Sequence, residues 1–177
     1  MNVEIMALYL NPNADAFLLN KNKKIYIDKS LVINELNELI DTDDNFVCIS
    51  RPRRFGKSMA GNMISAYYSK GCDTRDIFSQ MKLGQCPDYD KYLNKFNVIK
   101  LDLNGWYQRS IQRNRVDSLI IDIHEALVDD FKEAFPFLSF KTNNITLDQC
   151  ILNVYAKTGE KFVIIIDEYD VLIREQV

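Results

Sequence analysis

The sequence predicts an α/β fold, a parallel sheet with flanking helices, from strands and helices that alternate along its 177 residues. Two observations carry this reading. Phe46–Ser50 reads as a buried strand that runs through Arg51, Pro52, Arg53, Arg54, Phe55, Gly56, Lys57 and Ser58 into a helix. A second apolar strand, Phe162–Ile166, ends in two adjacent carboxylates, Asp167 and Glu168. Strands that alternate with helices imply parallel pairing through right-handed crossovers.

The elements follow in order. Tyr9 to Lys24 reads as irregular, with a turn at Asn11–Asn13, and Ile25–Ile27 as a short extended piece. Asp28 or Ser30 can cap a helix with Val32, Leu36, Leu39 and Ile40 on one face, closed by the polar turn Asp41–Asn45. The helix after Ser58 places Met59, Ala60, Met63, Ile64 and Tyr67 on one stripe and closes at Lys70 and Gly71. Val98–Leu103 reads as a core strand. The longest helix carries Val116, Ile120, Ile123, Leu127, Phe131 and Ala134 until Pro136 stops it, with Arg109, Arg113 and Arg115 as its basic start. Thr146 opens a further helix with Leu147, Ile151, Leu152 and Tyr155, which Thr158 and Gly159 end before the Phe162 strand.

Composition narrows the function classes. At 47% hydrophobic residues, the chain is long enough for one α/β domain, with 1–45 as a lead-in and 46–177 as the core. A formal net charge of -3 and a pI near 5.2 give no basic field of the kind that drives sequence-independent nucleic-acid binding. Cys48, Cys72, Cys86 and Cys150 lack zinc or redox spacing, and Cys48 falls in the expected buried strand, which fits reduced thiols in a cytoplasm. The apolar run Val3–Leu10 is interrupted by Glu4 and has no basic flank, so it does not read as a signal peptide. No apolar run is long enough for a membrane span.

The chemistry lies in the two strand ends. A phosphate loop needs backbone amides converging on an anion, a helix N-terminus facing it and a lysine bridging its oxygens. Gly56 lets the backbone approach, Lys57 supplies the cation for the β/γ oxygens, and the Ser58 hydroxyl can ligate Mg2+. The candidate nucleotide-binding segment is thus Arg53, Arg54, Phe55, Gly56, Lys57, Ser58 and Met59, with ATP and Mg2+ as the expected ligands. Asp167 is the candidate magnesium carboxylate, one water removed, and Glu168 the candidate base that orients water toward the γ-phosphate. Lys57 and Glu168 are therefore the candidate catalytic pair, and a glutamate directly after the aspartate tilts the reading toward hydrolysis.

The front of the loop departs from the usual pattern, since Arg51 and Pro52 stand where a glycine is expected. Plainer readings exist for each part: a charged turn before an ordinary helix, a strand ending in a polar turn, and a solvated basic turn at Arg53 and Arg54. Asp102 reads as a strand-end polar residue before it reads as a second water-positioning carboxylate. His124, the single histidine, reads as a boundary residue of the long helix.

Taken together, Tyr26–Ser30, Ser50–Ser58 and Ile166–Asp170 resemble the AAA-ATPase-like family of bacterial proteins, from about Tyr9 to Arg174. The resemblance implies a P-loop NTPase module with a catalytic glutamate, followed in longer members by a nuclease-like domain through which any nucleic-acid contact would run. It also implies that an arginine in place of the first loop glycine is usual, and that Asp28 and Lys29 lie near the nucleotide. In sheets of this class the strand after the acidic one inserts beside the phosphate-loop strand, and this chain stops at Val177. The expectation is a sheet incomplete after the Walker B strand, with open edges that favour self-association or a further C-terminal segment. Two other functions fit the same residues: a nucleotide-gated regulatory module of a mobile-element or defence protein with little turnover, and a small-molecule kinase.

Overall fold

The computed structural model describes residues 9–50, 52, 55–137 and 145–175; Arg51, Arg53, Arg54 and most of the apolar run from Val3 lie outside them. Two compact units account for the chain: Asn13–Phe96, and a second that joins Met1–Pro12 to Asn97–Val177.

The Asn13–Phe96 unit is helical. Helices α1 (Asp15–Lys21), α2 (Leu31–Leu39), α3 (Lys57–Tyr68) and α4 (Arg75–Ser79) precede a 3-10 turn, Lys82–Gln85. Its core is aromatic: Phe17 stacks on Phe78 at 5.4 Å between centroids, and Tyr67 meets Phe78 edge-on at 5.3 Å. Burial runs almost all round the second half of α3, from Met63 to Tyr68, rather than along the single expected stripe. The C-terminal carbonyls of that helix are satisfied from a distant turn. The Asn94 amide nitrogen donates to the carbonyls of Ala66 (3.0 Å), Tyr67 (3.3 Å) and Ser69 (3.0 Å), while its oxygen accepts from the Thr74 amide (3.1 Å).

Other expectations fail in this unit, the first being the irregular reading of Tyr9–Lys24, which holds α1. Phe46–Ser50 forms no strand; all five residues are exposed, Phe46 at 96% and Cys48 among them. Apolar composition makes a strand only where a ladder receives it, and this segment joins none. Ser30 is the N-cap residue of α2, yet neither it nor Asp28 makes a side-chain cap. The buried residue of α2 is Ile33, with Val32, Leu36, Leu39 and Ile40 only half-buried.

The second unit holds the sheet. Strands β1 (Asn97–Asp102) and β2 (Phe162–Asp167) pair in parallel, in a register that sets Asn97 opposite Phe162 and Asp102 opposite Asp167. Around them lie α5 (Leu103–Gln112), α6 (Leu119–Ala134), α7 (Leu147–Thr158) and α8 (Asp170–Arg174). Leu10, Ile99, Leu101, Leu127, Phe131 and Val154 share one buried cluster. The result is a mixed α/β architecture, a two-stranded parallel sheet with flanking helices.

α5 is absent from the sequence reading, and it takes Arg109 away from the long helix. The Arg109 guanidinium lies over the Trp106 ring at 4.5 Å, whereas Arg115 precedes α6 and pairs with Asp122 at 2.8 Å. α6 buries Ile123, Leu127 and Phe131 as expected but leaves Ile120 exposed. α7 starts after Thr146 and ends at Gly159, as expected, and a Thr146–Gln149 capping box closes its start; it buries Cys150 and Val154 and exposes Leu152 and Tyr155.

The outer edge of β1 is closed by Tyr9–Asn11. The Lys100 amide donates to the Tyr9 carbonyl (3.0 Å) and the Asn11 amide to the Val98 carbonyl (2.7 Å). From α6, the buried Asp130 carboxylate accepts both the Tyr9 (2.6 Å) and Leu10 (3.1 Å) amides. On the far side of β2 no strand follows among the described residues, and Ile164 and Ile166 are half exposed.

Removing the Asp130 carboxylate leaves two amides without their acceptor, which costs about 1–3 kcal/mol. Urea unfolding of Asp130→Ala is expected to fall short of wild type by that amount, and a loss confined to a few tenths would contradict the role.

Candidate functional site

In the Asn13–Phe96 unit the site begins at Gly56. Its backbone is left-handed, φ 78 and ψ 31, and the next residue, Lys57, is the first of α3. A side chain at 56 would meet nothing closer than 3.7 Å, so conformation rather than space selects glycine. The change of hand from Gly56 to Lys57 turns successive amides toward one concavity, the geometry that receives an anion. No side chain caps α3, and the amides of its first turn have no acceptor within the helix. Phosphate oxygens suit such donors, and the helix dipole favours negative charge there.

Lys57 is half-buried and Ser58 exposed, and among the described residues no hydrogen bond engages the ammonium of the one or the hydroxyl of the other. Phe55 is 59% exposed; its amide donates weakly to the Pro52 carbonyl at 3.4 Å. Met59 brings its sulfur within 3.9 Å of the position a Gly56 Cβ would take. Phe55, Gly56, Lys57, Ser58 and Met59 are thus contiguous around one helix start, while Arg53 and Arg54 lie outside the described residues.

A further contact joins this loop to the stretch before α2. The Lys29 ammonium donates to the Phe55 carbonyl at 3.0 Å. Its neighbours are pinned elsewhere: Asp28 accepts the amides of Ser30 and Lys82, each at 2.8 Å, and the Ser30 hydroxyl oxygen accepts the Leu83 amide at 3.0 Å. Burial pushes the Asp28 carboxyl up, but the Lys82 and Ser30 amides and the Ser30 hydroxyl outweigh it and hold the group below the usual carboxylate range.

In the second unit the strand ends supply the acids. Directly opposed residues of parallel strands share a face, so Asp102 and Asp167 project together about 4.8 Å apart in strand spacing. Lys100, two residues before Asp102, lies on that face too. Burial pushes its ammonium pKa down, against the pull of Asp167 and Asp102. Asp102 is also the N-cap of α5, accepting the Gly105 amide at 3.0 Å. Asp167 accepts the Glu168 amide at 3.1 Å, and Glu168 adopts a left-handed φ of 55. That conformation costs a side-chain-bearing residue about 1–2 kcal/mol. Such strain is characteristic of residues held for a task.

The alternation that puts Lys100 and Asp102 on one face is visible in the sequence; the register that sets Asp167 beside them is not. Among the described residues no cluster of three metal-ligating side chains occurs. Mg2+ commonly takes only one or two protein oxygens and completes its shell with water and phosphate; the Ser58 hydroxyl is a suitable donor in kind, as is, in the other unit, the Asp167 carboxylate. No described helix is long and apolar enough to cross a membrane.

These features define a mixed α/β protein in which a Gly-Lys-Ser step opens a helix and an Asp-Glu step ends a strand. Residues 16–177 match the family described as Predicted AAA-ATPase, AAA-ATPase_like, and the chain belongs to that family. No curated protein and no solved structure matches it. The family description accords with ATP binding.

The lowered Asp28 pKa has a signed consequence. Its stabilisation is complete well above the ordinary carboxylate value of 3.8 and is lost as pH falls through the lowered folded-state value. Unfolding free energies of wild type and Asp28→Asn are expected to differ at neutral pH, with the gap narrowing as pH falls below 3.8. A gap of constant size across that range would contradict the assignment.

Proposed function

We propose that this chain is a P-loop NTPase domain that binds Mg-ATP at Gly56–Ser58 and hydrolyses it. The observation that carries the reading is the left-handed Gly56 at the N-terminus of an uncapped twelve-residue helix, with Lys57 and Ser58 as its first two residues. That arrangement offers amides, a dipole and an ammonium to the same polyphosphate. Lys57 would hold the β/γ oxygens and the Ser58 hydroxyl would ligate Mg2+; for the strand-end pair of the other unit the proposed roles are magnesium binding by Asp167 and water positioning by Glu168. Bound Mg2+ would neutralise charge building on the phosphate oxygens. Arg53 and Arg54 would add cationic contacts from the preceding loop.

Calorimetric titration of Mg-ATP tests the binding half. Lys57→Ala is expected to weaken binding at least tenfold, or about 1.4 kcal/mol, and equal affinities for variant and wild type would remove the proposal. Turnover is tested separately. Phosphate release by Glu168→Gln is expected to fall at least a hundredfold, the scale of a lost general base, while Mg-ATP affinity stays within threefold of wild type. Undiminished release would dismiss Glu168 as the water-positioning group.

A further inference from the structure

We infer that Lys29 is a second phosphate-binding cation of the Gly56–Ser58 loop, supplied from outside the loop by the stretch before α2. The inference rests on the reading that this loop receives a nucleoside polyphosphate, and adds to it a residue that no phosphate-loop spacing contains.

Lys29 is exposed, and its ammonium lies 3.0 Å from the Phe55 carbonyl and 3.7 Å from where a Gly56 Cβ would sit. It therefore stands at the residue where the loop turns into α3. An anion seated on the first-turn amides lies about 3 Å from them. A short swing of the lysine's flexible four-carbon stem covers the remaining distance. A single carbonyl is a meagre partner for a group with three donor protons. Among the described residues, the Phe55 carbonyl is the hydrogen-bond partner of the Lys29 ammonium.

The backbone on either side of Lys29 is fixed, so the placement of its side chain is not incidental. Asp28 and Ser30 flank it and both bind the 3-10 turn Lys82–Gln85, through the Lys82 and Leu83 amides. Upstream, the Tyr26 hydroxyl contacts the Met63 sulfur of α3 at 3.8 Å. Ser30 is fully buried at the N-cap of α2 and yet makes no side-chain cap there. The polar groups of Asp28 and Ser30 thus serve to anchor the segment, and the anchored segment directs one exposed cation at the loop.

Lys29→Gln and Lys29→Arg separate this role from simple loop support. Glutamine retains an N–H donor for the Phe55 carbonyl but carries no charge; arginine retains the charge. Calorimetric titration with Mg-ATP is expected to show at least tenfold weaker binding for Lys29→Gln and binding within threefold of wild type for Lys29→Arg, with thermal unfolding of the ligand-free variants matching wild type. Wild-type affinity in Lys29→Gln, or equal losses in both variants, would overturn the inference. In the unmodified chain, Mg-ATP is expected to protect Lys29 from acetylation as mapped by mass spectrometry, and an unchanged acetylation rate would also overturn it. If wild type binds no Mg-ATP, or Lys57→Ala binds it as well as wild type, the loop reading falls and this inference with it. A loss in Lys57→Ala without one in Lys29→Gln overturns the role of Lys29 alone.

Discussion

A peptide group shut away from water must find a hydrogen-bond partner, and where helix and ladder do not supply one, a side chain has to. This constraint organises both units. Asn94 collects the closing carbonyls of α3, Asp28 and Ser30 receive the amides of the Lys82–Gln85 turn, and Asp130 receives those of Tyr9 and Leu10. Asn11 does the same for β1, its side-chain oxygen accepting the Val98 amide at 2.8 Å. Each of these side chains links residues far apart in the chain. The irregular segments are held in place by polar groups as firmly as the helices are by their apolar faces.

The same rule explains why α3 stands apart. Its closing carbonyls are taken, Ala66 and Tyr67 by Asn94, Ala66 also by Thr74, and Tyr68 by the Phe96 amide, whereas no side chain caps its N-terminal end. Donors left over at an exposed helix start are tolerated in water and are ready for an anion. The acidic strand ends show a different balance. Asp102 and Asp167 would repel each other across the register, and the half-buried Lys100 on their face offsets that repulsion.

Local signals were legible in the sequence where they sufficed by themselves. Thr146 precedes α7, the Gly56–Ser58 step opens α3, and the apolar runs of β1 and β2 are strands that pair. Signals that depend on a distant partner misled. Phe46–Ser50 has the composition of a buried strand without a ladder to join. Asp28 and Ser30 look like caps because they precede a helix, but the Ser30 hydroxyl and one Asp28 oxygen take amides more than fifty positions away, at Leu83 and Lys82. α5 begins directly from the end of β1, with no intervening turn to announce it; Asp102 closes the strand and caps the helix at once. For the site, residue types and order were readable, whereas the Lys29 contact and the pairing of Asp102 with Asp167 required coordinates.

The left-handed backbone at Glu168 sets two demands on one position. Glycine would relax the turn, and asparagine would fit it better than glutamate does. In a laboratory evolution run that rewards heat resistance alone, this codon gains by drifting to glycine or asparagine. If the carboxylate positions water as proposed, selection for turnover would hold glutamate at 168 despite its strain.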